Sequence, residues 1–189
     1  MIDRPDVTLR EIHAQARRCR RCHLHKTRLN VVPGEGSSNA KVMFVGEAPG
    51  AEEDKSGRPF VGRSGELLTK MLEEIGFKRE SVFITSVLKC RPPRNRTPLV
   101  SEIEACIPYL HRQIKAINPR IIVLLGGVAI SSVIGPWKLS DAHGRFYEYD
   151  GRTFFMTYHP AAALRFPKIR TIMRSDMQAL REELSMSGG

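Results

Sequence analysis

Long apolar runs are missing from this sequence. No stretch approaches the ~20 residues that a membrane-spanning helix needs, and the N-terminus is charged rather than signal-like. Internal repeats and low-complexity tracts are also missing, which argues against repeat and disordered architectures. A hydrophobic fraction of 41% and a mean hydropathy of -0.27 are ordinary for a globular protein. We therefore expect one soluble, cytoplasmic domain over residues 1–189 without a membrane segment.

Acidic residues are few relative to basic ones. The chain has 20 aspartates and glutamates against 30 lysines and arginines, for a formal charge of +10. A polyanionic partner would explain this excess, because each phosphate that a protein neutralises releases counterions. General solubility would explain it too, so composition alone leaves both interpretations open. The basic residues crowd two segments, 17–28 and 91–96.

Cysteines number only four, Cys19, Cys22, Cys90 and Cys106. In an intracellular chain such cysteines do not favour disulfides. Three interpretations stay open, namely unrelated core thiols, a zinc site and a [4Fe–4S] cluster. Zinc sites usually come as two close pairs, whereas a cluster tolerates scattered ligands. The spacing favours a metal and leaves its identity open.

Short apolar runs that suit buried parallel strands alternate with helical patterns. The strand-like runs lie at 41–45, 82–88, 120–125 and 153–157, and helices are predicted at 8–18, 67–75, 103–117 and 169–184. This alternation predicts an α/β fold in which helices cover both faces of a parallel sheet.

Local signals refine the helix boundaries. Ser101 and Glu104 form a capping-box pattern at the start of the second long helix, and Pro108 predicts a kink within it. Residues 19–36 are basic and irregular, and residues 185–189 are expected to form a frayed tail.

Three polar or glycine-rich loops follow predicted strands, at 46–62, 89–98 and 158–167. Ligands of parallel α/β sheets bind where the carboxyl ends of the strands meet such loops. The sequence therefore predicts the functional site at this edge of the sheet.

Four blocks within these loops carry a family resemblance. They read GEAPG at 46–50, GRPFVG at 57–62, KCRPP followed by NRTP within 89–98, and HPA at 159–161. Together, and in this order, they resemble the family 4 uracil-DNA glycosylases, the iron–sulfur members of the uracil-DNA glycosylase superfamily. The likeness runs from about Cys19 to the last helix and includes all four cysteines.

The resemblance implies a three-layer α/β/α sandwich with a four-stranded parallel sheet. It also implies a structural [4Fe–4S] cluster that ties the irregular segment 19–36 to the rest of the domain. Its ligands would be Cys19, Cys22, Cys90 and Cys106.

The reaction that the resemblance implies is hydrolysis of the N-glycosidic bond of uracil in DNA. The nucleotide must first leave the duplex, and bond cleavage then places positive charge on the sugar and negative charge on the base. Glu47 is the candidate for orienting water or stabilising the sugar cation, and His159 for donating to uracil O2. Phe60 is the expected stacking residue, while Glu53 and Asp54 are weaker candidates interpreted as solvated or positioning carboxylates.

One position departs from the family pattern. The family commonly has an asparagine just before KCRPP that reads the Watson–Crick edge of uracil, and this chain has Ser86 there. A hydroxyl cannot offer the paired donor and acceptor of an amide, so either water completes the contact or base discrimination is looser. Asn95 is a secondary candidate for substrate contact, with a role in loop structure as the alternative.

DNA, single- or double-stranded, is the expected partner of a monomeric enzyme. Arg94 and Arg165 are candidates for phosphate contacts, and Leu164 is a candidate wedge into the base stack or, equally, a core-packing residue. No replication-clamp-binding peptide is recognisable.

Two alternative functions follow from the same residues. A catalytically weak DNA-binding module would keep the cysteines and the groove; Ser86 favours it, whereas intact Glu47, Phe60 and His159 oppose it. A relative with altered preference among deaminated bases, or with a covalent reaction, is the other. The covalent type is expected to carry an insertion with a reactive histidine, and residues 89–98 contain none.

Overall fold

The computed structural model describes residues 8–186, which form a six-stranded sheet with helices on both faces. The strand order is β1-β3-β2-β4-β6-β5. The four central strands are parallel, and both edge strands are antiparallel to their neighbours. The strands are β1 (Glu35–Gly36), β2 (Val42–Gly46), β3 (Phe83–Ser86), β4 (Ile121–Leu125), β5 (Phe146–Tyr149) and β6 (Arg152–Thr157).

The three-layer α/β fold and its four parallel strands are confirmed, but a sheet of only four strands is wrong. The two additional strands are the edges. β1 has two residues, too few for any periodic pattern, and β5 is mostly exposed, so neither produces a continuous apolar run. Asp150 and Gly151 join β5 to β6 with positive φ angles of 49° and 68°, as a two-residue hairpin turn requires.

Helices occupy most of the remaining chain. They are α1 (Leu9–Arg17), α2 (Ala51–Ser56), α3 (Arg63–Glu74), α4 (Val100–Ile117), α5 (Gly127–Val133), α6 (Leu139–Ala142), α7 (Pro160–Arg165) and α8 (Pro167–Met186). The predicted first helix is confirmed, with Thr8 as its N-cap. The last helix continues to Met186, so residues 185 and 186 of the expected frayed tail are helical. Residues 187–189 lie outside the described residues.

The capping box predicted at the start of α4 is wrong in its position. The helix begins two residues earlier than a Ser101 cap requires, with Leu99 as its N-cap. Glu102, rather than Glu104, accepts the Leu99 backbone N–H at 2.8 Å. Glu102 also pairs with Arg96 of the preceding loop, an ion pair that the capping pattern alone does not indicate. Pro108 lies inside α4, which continues through it.

Two apolar clusters hold the layers together. Side chains alternate along β2, so Val42 and Phe44 face one cluster whereas Met43 and Val45 face the other. The first cluster includes residues of α3, α7 and α8, and the second includes residues of α4 and α5. Burying each large apolar side chain contributes roughly 1.5–3 kcal/mol, which fixes the sheet between its helices.

A third, smaller cluster anchors the N-terminal segment. Ile12 and Ala16 of α1 pack with Leu24 and Tyr109 around the cysteines. The segment predicted to be irregular is therefore tied to α4 by packing. No helix among residues 8–186 is long and apolar enough to cross a membrane.

Candidate active site and cysteine cavity

A cavity of about 310 Å³ opens at the carboxyl edge of the parallel strands. Residues of all three predicted loops line it, so the loops meet at one cavity as expected. The structure brings together the sequence-predicted residues Glu47, Phe60, Ser86, Asn95 and His159.

Phe60 is held in an unusual backbone conformation. Its φ angle is +48°, a left-handed value that side-chain-bearing residues rarely adopt, and the residue is 7% exposed. The Glu53 carboxylate fixes the next turn of chain, because its Oε1 accepts the N–H groups of Val61 and Gly62, each at 2.9 Å. Its Oε2 accepts the Gly50 N–H at 3.1 Å. One buried carboxylate thus joins the two glycine-rich motifs of the loop.

The same loop is also held from outside the cavity. Arg79 donates from Nη2 to the Pro59 carbonyl, and its guanidinium is paired with Glu35 at 2.9 Å. Gly65 allows the close approach, because a Cβ there would lie 1.9 Å from the Phe60 carbonyl oxygen. The Phe60 ring is therefore placed by its backbone as well as by packing.

His159 caps the short helix α7. Its Nδ1 accepts the Ala161 N–H at 3.1 Å, so the proton of the neutral ring is on Nε2. Burial lowers the pKa of His159 to about 4, a shift that the nearby Glu53 carboxylate opposes. The ring is consequently neutral at physiological pH, and its centroid lies 5.7 Å from that of Phe60.

Glu47 directly follows β2 at the wall of the cavity. Its backbone carbonyl accepts the Leu88 N–H at 3.0 Å, which extends the pairing between β2 and β3 past the end of the sheet. Burial raises the pKa of its carboxyl. Glu47 is thus a half-buried acid, and a hydrogen bond from Leu88 holds its backbone in place.

Ser86 ends β3 and is 4% exposed at the cavity wall. The buried Lys89 ammonium donates to its carbonyl at 2.6 Å and to the Thr85 hydroxyl at 2.7 Å. Burial lowers the pKa of Lys89 to about 7, with the cysteine thiols opposing that shift. The backbone that carries the Ser86 hydroxyl is therefore held by a hydrogen bond from Lys89.

The loop between Lys89 and α4 completes the wall. Asn95 has a positive φ of 55°, and its Oδ1 accepts Arg91 Nε at 2.7 Å. Arg96, which also lines the cavity, donates to the buried Glu102 carboxylate at 2.6 and 2.9 Å. The bond from Arg91 makes Asn95 part of the loop's structure as well as of the cavity wall.

The three DNA-contact candidates do not line this cavity. Arg94 and Arg165 are exposed, and Arg165 lies 5.2 Å above the ring of Phe166. Leu164 is half-buried and packs against the first core cluster. Phe166 is 47% exposed, which makes it the more accessible apolar residue of this turn.

The four cysteines meet around a second cavity. Arg28 Nη1 donates to Cys90 Sγ at 3.0 Å, and the Lys89 backbone N–H donates to Cys106 Sγ at 3.3 Å. Burial raises the pKa of Cys90 and raises that of Cys106 to about 11, with Arg28 and Lys89 opposing the respective shifts. Among residues 8–186, no three histidine, cysteine or acidic side chains form a group that could hold a metal ion. The thiols share one cavity nonetheless, and N–H donors reach two of the sulfurs.

Comparison with known sequences agrees with this geometry. The sequence model of the uracil DNA glycosylase superfamily matches residues 33–184. The chain belongs to this superfamily.

Individual relatives narrow the family further. The chain is 47% identical to a type-4 uracil-DNA glycosylase of Saccharolobus solfataricus over 90% of its own length and 84% of the relative's. Identity to the type-4 enzyme of Pyrobaculum aerophilum is 48%, covering 90% and 92% of the two chains. For the type-4 enzyme of Thermotoga maritima it is 43%, covering 94% and 95%. The chain is a member of the type-4 group.

Some residues that shape the site of this superfamily member had little sequence signal. Glu53 falls three residues after Gly50, a helix-start spacing, but nothing in the sequence indicates its bonds to Val61 and Gly62. Arg79 reaches the loop from 20 residues away in the chain. Such roles arise only when distant segments fold together.

Proposed function

We propose that this protein is a DNA-repair hydrolase that cleaves the N-glycosidic bond of uracil in DNA and leaves an abasic site. One observation carries the proposal: Glu47, Phe60 and His159, from separate motif blocks, line one cavity at the carboxyl edge of the sheet. Membership of a superfamily whose type-4 members are named uracil-DNA glycosylases supports the same chemistry.

Substrate entry requires that the nucleotide leaves the base stack. The cavity offers the flipped base the Phe60 ring, and stacking of a base on an aromatic side chain is worth ~1–3 kcal/mol. Because the Phe60 backbone is held before substrate arrives, little ordering free energy is needed on binding. We assign Phe60 as the stacking residue.

Departure of the base leaves negative charge on uracil, which a fixed hydrogen-bond donor stabilises. His159 is suited to this because its ring is neutral and its one N–H is on Nε2. A neutral imidazole donates a hydrogen bond without transferring a full proton. We assign His159 as the donor to uracil O2.

Charge of the opposite sign develops on the deoxyribose. The carboxylate of Glu47 is the candidate to stabilise it or to orient the attacking water. Partial burial raises its pKa and strengthens its field, since few water molecules screen it. Stabilising the sugar cation and orienting the attacking water both act at the deoxyribose, so one carboxylate can do both.

Base selection falls to Ser86 and Asn95, which line the same cavity. The Ser86 hydroxyl accepts and donates but offers only one atom to the base edge. This observation favours a second candidate function, excision of other deaminated bases such as hypoxanthine alongside uracil.

A [4Fe–4S] cluster fits the second cavity by its donor set, with Cys19, Cys22, Cys90 and Cys106 as ligands. Through its four thiolate ligands, the cluster would cross-link the N-terminal segment, the loop after β3 and α4. Arg28 and the Lys89 N–H would then act as hydrogen-bond donors to the ligating sulfurs. The test is iron content together with the broad absorbance of such clusters near ~400 nm.

DNA is the proposed partner of a monomeric, cytoplasmic enzyme. The exposed Arg94 and Arg165 are proposed phosphate contacts, and Leu164 a wedge whose half-buried position favours its alternative role in packing. Replacing either arginine by alanine should lower the slope of log K against log salt by about one. A replication-clamp contact forms no part of the proposal.

The decisive experiment incubates the purified protein with a uracil-containing oligonucleotide and then with alkali. An alkali-cleavable abasic site supports the proposed hydrolase. A stable protein–DNA adduct supports a covalent relative, and binding without either product supports a silent DNA-binding module. Parallel oligonucleotides with hypoxanthine, xanthine or a thymine–guanine mismatch measure the base preference.

A further inference from the structure

A groove of about 290 Å³ lies between α3 and α8, and its residue Arg63 precedes Ser64, which lines the active-site cavity. Its α3 wall carries Arg63 and Lys70, and its α8 wall carries Arg170 and Arg174. The two concavities share structure, because Arg63 directly follows Gly62, whose N–H is held by Glu53. The helix α7, capped by His159, contributes Leu164 to the groove.

The cations of the groove are regularly placed. Arg63 and Lys70 are seven residues apart, two turns of helix, and Arg170 and Arg174 are four apart, so each pair occupies one helix face. Both pairs line the same groove from opposite sides. The positive charge is thus arranged as a track rather than scattered over the surface.

Arg63 and Lys70 carry the charge that is most available to a ligand, because Arg170 Nε donates to the Ala163 carbonyl at 3.2 Å. Within residues 8–186, no carboxylate forms an ion pair with Arg63, Lys70 or Arg170. Arg174 is paired with Glu74, at 2.9 Å, and Glu66 is the acidic residue of the groove wall. Cations therefore exceed carboxylates along the track.

The size and lining of the groove fit a sugar–phosphate chain. Seven residues of helix span about 10 Å, which corresponds to about three base steps of rise along the axis of a DNA duplex. The buried Leu67 and half-buried Leu164 give the floor an apolar surface suited to deoxyribose. An acidic peptide would find an acceptor for its backbone N–H groups only at Glu66 among the charged lining residues, because arginine and lysine are donors only.

We propose that this groove binds the sugar–phosphate backbone of the DNA strand on one side of the flipped nucleotide. The inference rests on the proposed function, since it takes DNA as the substrate, and it adds the path by which that strand leaves the site. Arg63 lies nearest the cavity along the chain and would contact the phosphate closest to the flipped nucleotide, with Lys70 further out.

The test compares two double variants with equal loss of charge. Arg63→Ala with Lys70→Ala removes two cations of the groove that have no ion pair in the fold. Lys41→Ala with Arg152→Ala removes two that line a separate concavity at the opposite edge of the sheet. Equilibrium binding of undamaged single-stranded and duplex oligonucleotides is measured over a range of salt, with thermal unfolding as the check on folding.

The groove variant should lower the slope of log K against log salt by about 1.5, at ~0.7–0.9 per lost phosphate contact. The control variant should leave the slope unchanged. Equal slopes for the wild type and the groove variant, or equal losses in both variants, would overturn the proposal. Because this readout is binding, it remains informative even if the wild type excises nothing, which would reject the proposed function separately.

Substrates with uracil near one end give the second readout. The groove variant should be slower than the wild type at subsaturating DNA when flanking nucleotides extend over the groove. It should match the wild type when they are removed from that side, and only one of the two strand ends should behave this way. A penalty that does not depend on either end would contradict a track of fixed direction.

Discussion

The active-site cavity and the cysteine cavity both include residues of the loop that follows β3, and in both of them burial favours the neutral form of the titratable groups. In the active-site cavity, burial lowers the pKa of His159 and so keeps it in the neutral form that the proposed reaction uses, but it also raises the pKa of Glu47, which the proposed reaction uses as a carboxylate. In the cysteine cavity, burial raises the pKa of Cys90 and Cys106 and so opposes the thiolate form that a metal would need. A metal bound by these thiols would have to displace their protons.

The two cavities differ in how their walls are made. The active-site wall is held by hydrogen bonds to backbone groups, chiefly through Glu53 and Arg79. The cysteine cavity is enclosed by an apolar cluster together with hydrogen bonds from Arg28 to the Cys19 carbonyl and to Cys90 Sγ. Lys89 connects the two regions, because its ammonium donates to the Ser86 carbonyl while the next residue is a cysteine of the other cavity. The two cavities therefore share one backbone segment.

The largest effect is expected from Cys90→Ala. Losing one ligand should release the cluster and leave three thiols beside a basic loop, so colour and iron should be lost and thermal stability should fall steeply. Ordinary removal of a core thiol would cost only about 1 kcal/mol. A colourless wild type with stoichiometric zinc would reject the cluster, and an iron-free wild type with a small stability change would support core thiols.

His159→Ala tests the active-site cavity without changing the cysteine cavity. Loss of the Nε2 donor should slow single-turnover excision by ~100-fold or more, because the departing base loses its stabilising hydrogen bond. His111→Ala, at an exposed position of α4, is the matched control and should leave the rate unchanged. Affinity for undamaged DNA should be similar in both variants, whereas His159→Ala should also lose about 1 kcal/mol of stability because the cap of α7 is removed. A rate within a few-fold of the wild type would remove His159 from the reaction.

The pH profile of excision should separate Glu47 from His159. In the proposed reaction Glu47 acts as a carboxylate, and its pKa is raised, so the rate should fall with decreasing pH, by about tenfold per unit below that pKa. The proposed role of His159 uses its neutral form, and its pKa is about 4, so it should stay competent over most of this range. Glu47→Gln should lower the plateau and remove the upper part of the acid limb. An unaltered limb in this variant would assign it to another group.

A double-mutant cycle tests whether Glu53 acts through Phe60. Glu53→Gln keeps one carbonyl oxygen but sets an NH₂ group against an N–H donor, so it should cost about 1 kcal/mol, or roughly fivefold in rate. Phe60→Ala should remove the stacking energy, and adding Glu53→Gln to it should change the rate little further. If the losses of the two single variants multiply in the double variant, Glu53 does not act through Phe60 and is only a structural residue. The exposed neighbour Glu52, changed to Gln, is the control.

How much of this site the sequence predicts depends on whether a residue's role is local. Glu47, Phe60 and His159 lie in motif blocks after strands, so the rule that loops gather at the carboxyl edge placed them together correctly. The edge strand β5 and the Leu99 cap of α4 were missed, because exposed strands lack an apolar pattern and the capping pattern alone does not indicate the ion pair of Arg96 with Glu102. The bonds of Glu53 to Val61 and Gly62 join segments whose proximity no periodicity encodes.

The smallest effect, and the one most particular to this chain, is expected from Ser86→Asn. The residue ends β3 at the cavity wall, on a backbone that Lys89 fixes, so the substitution changes the side chain without freeing the strand. An asparagine would offer a donor and an acceptor where serine offers one atom, which adds about one hydrogen bond to the base edge. One net hydrogen bond is worth about 1 kcal/mol, or roughly fivefold in discrimination. We therefore expect single-turnover excision of uracil to increase relative to hypoxanthine, with affinity for undamaged DNA unchanged.

Ser86→Ala provides the complementary control, because it removes the hydroxyl without adding bulk and should reduce discrimination further. If neither substitution alters the ratio of uracil to hypoxanthine excision while His159→Ala still abolishes activity, Ser86 does not contact the base edge, and selection must come from backbone groups of the loop between Glu47 and Phe60.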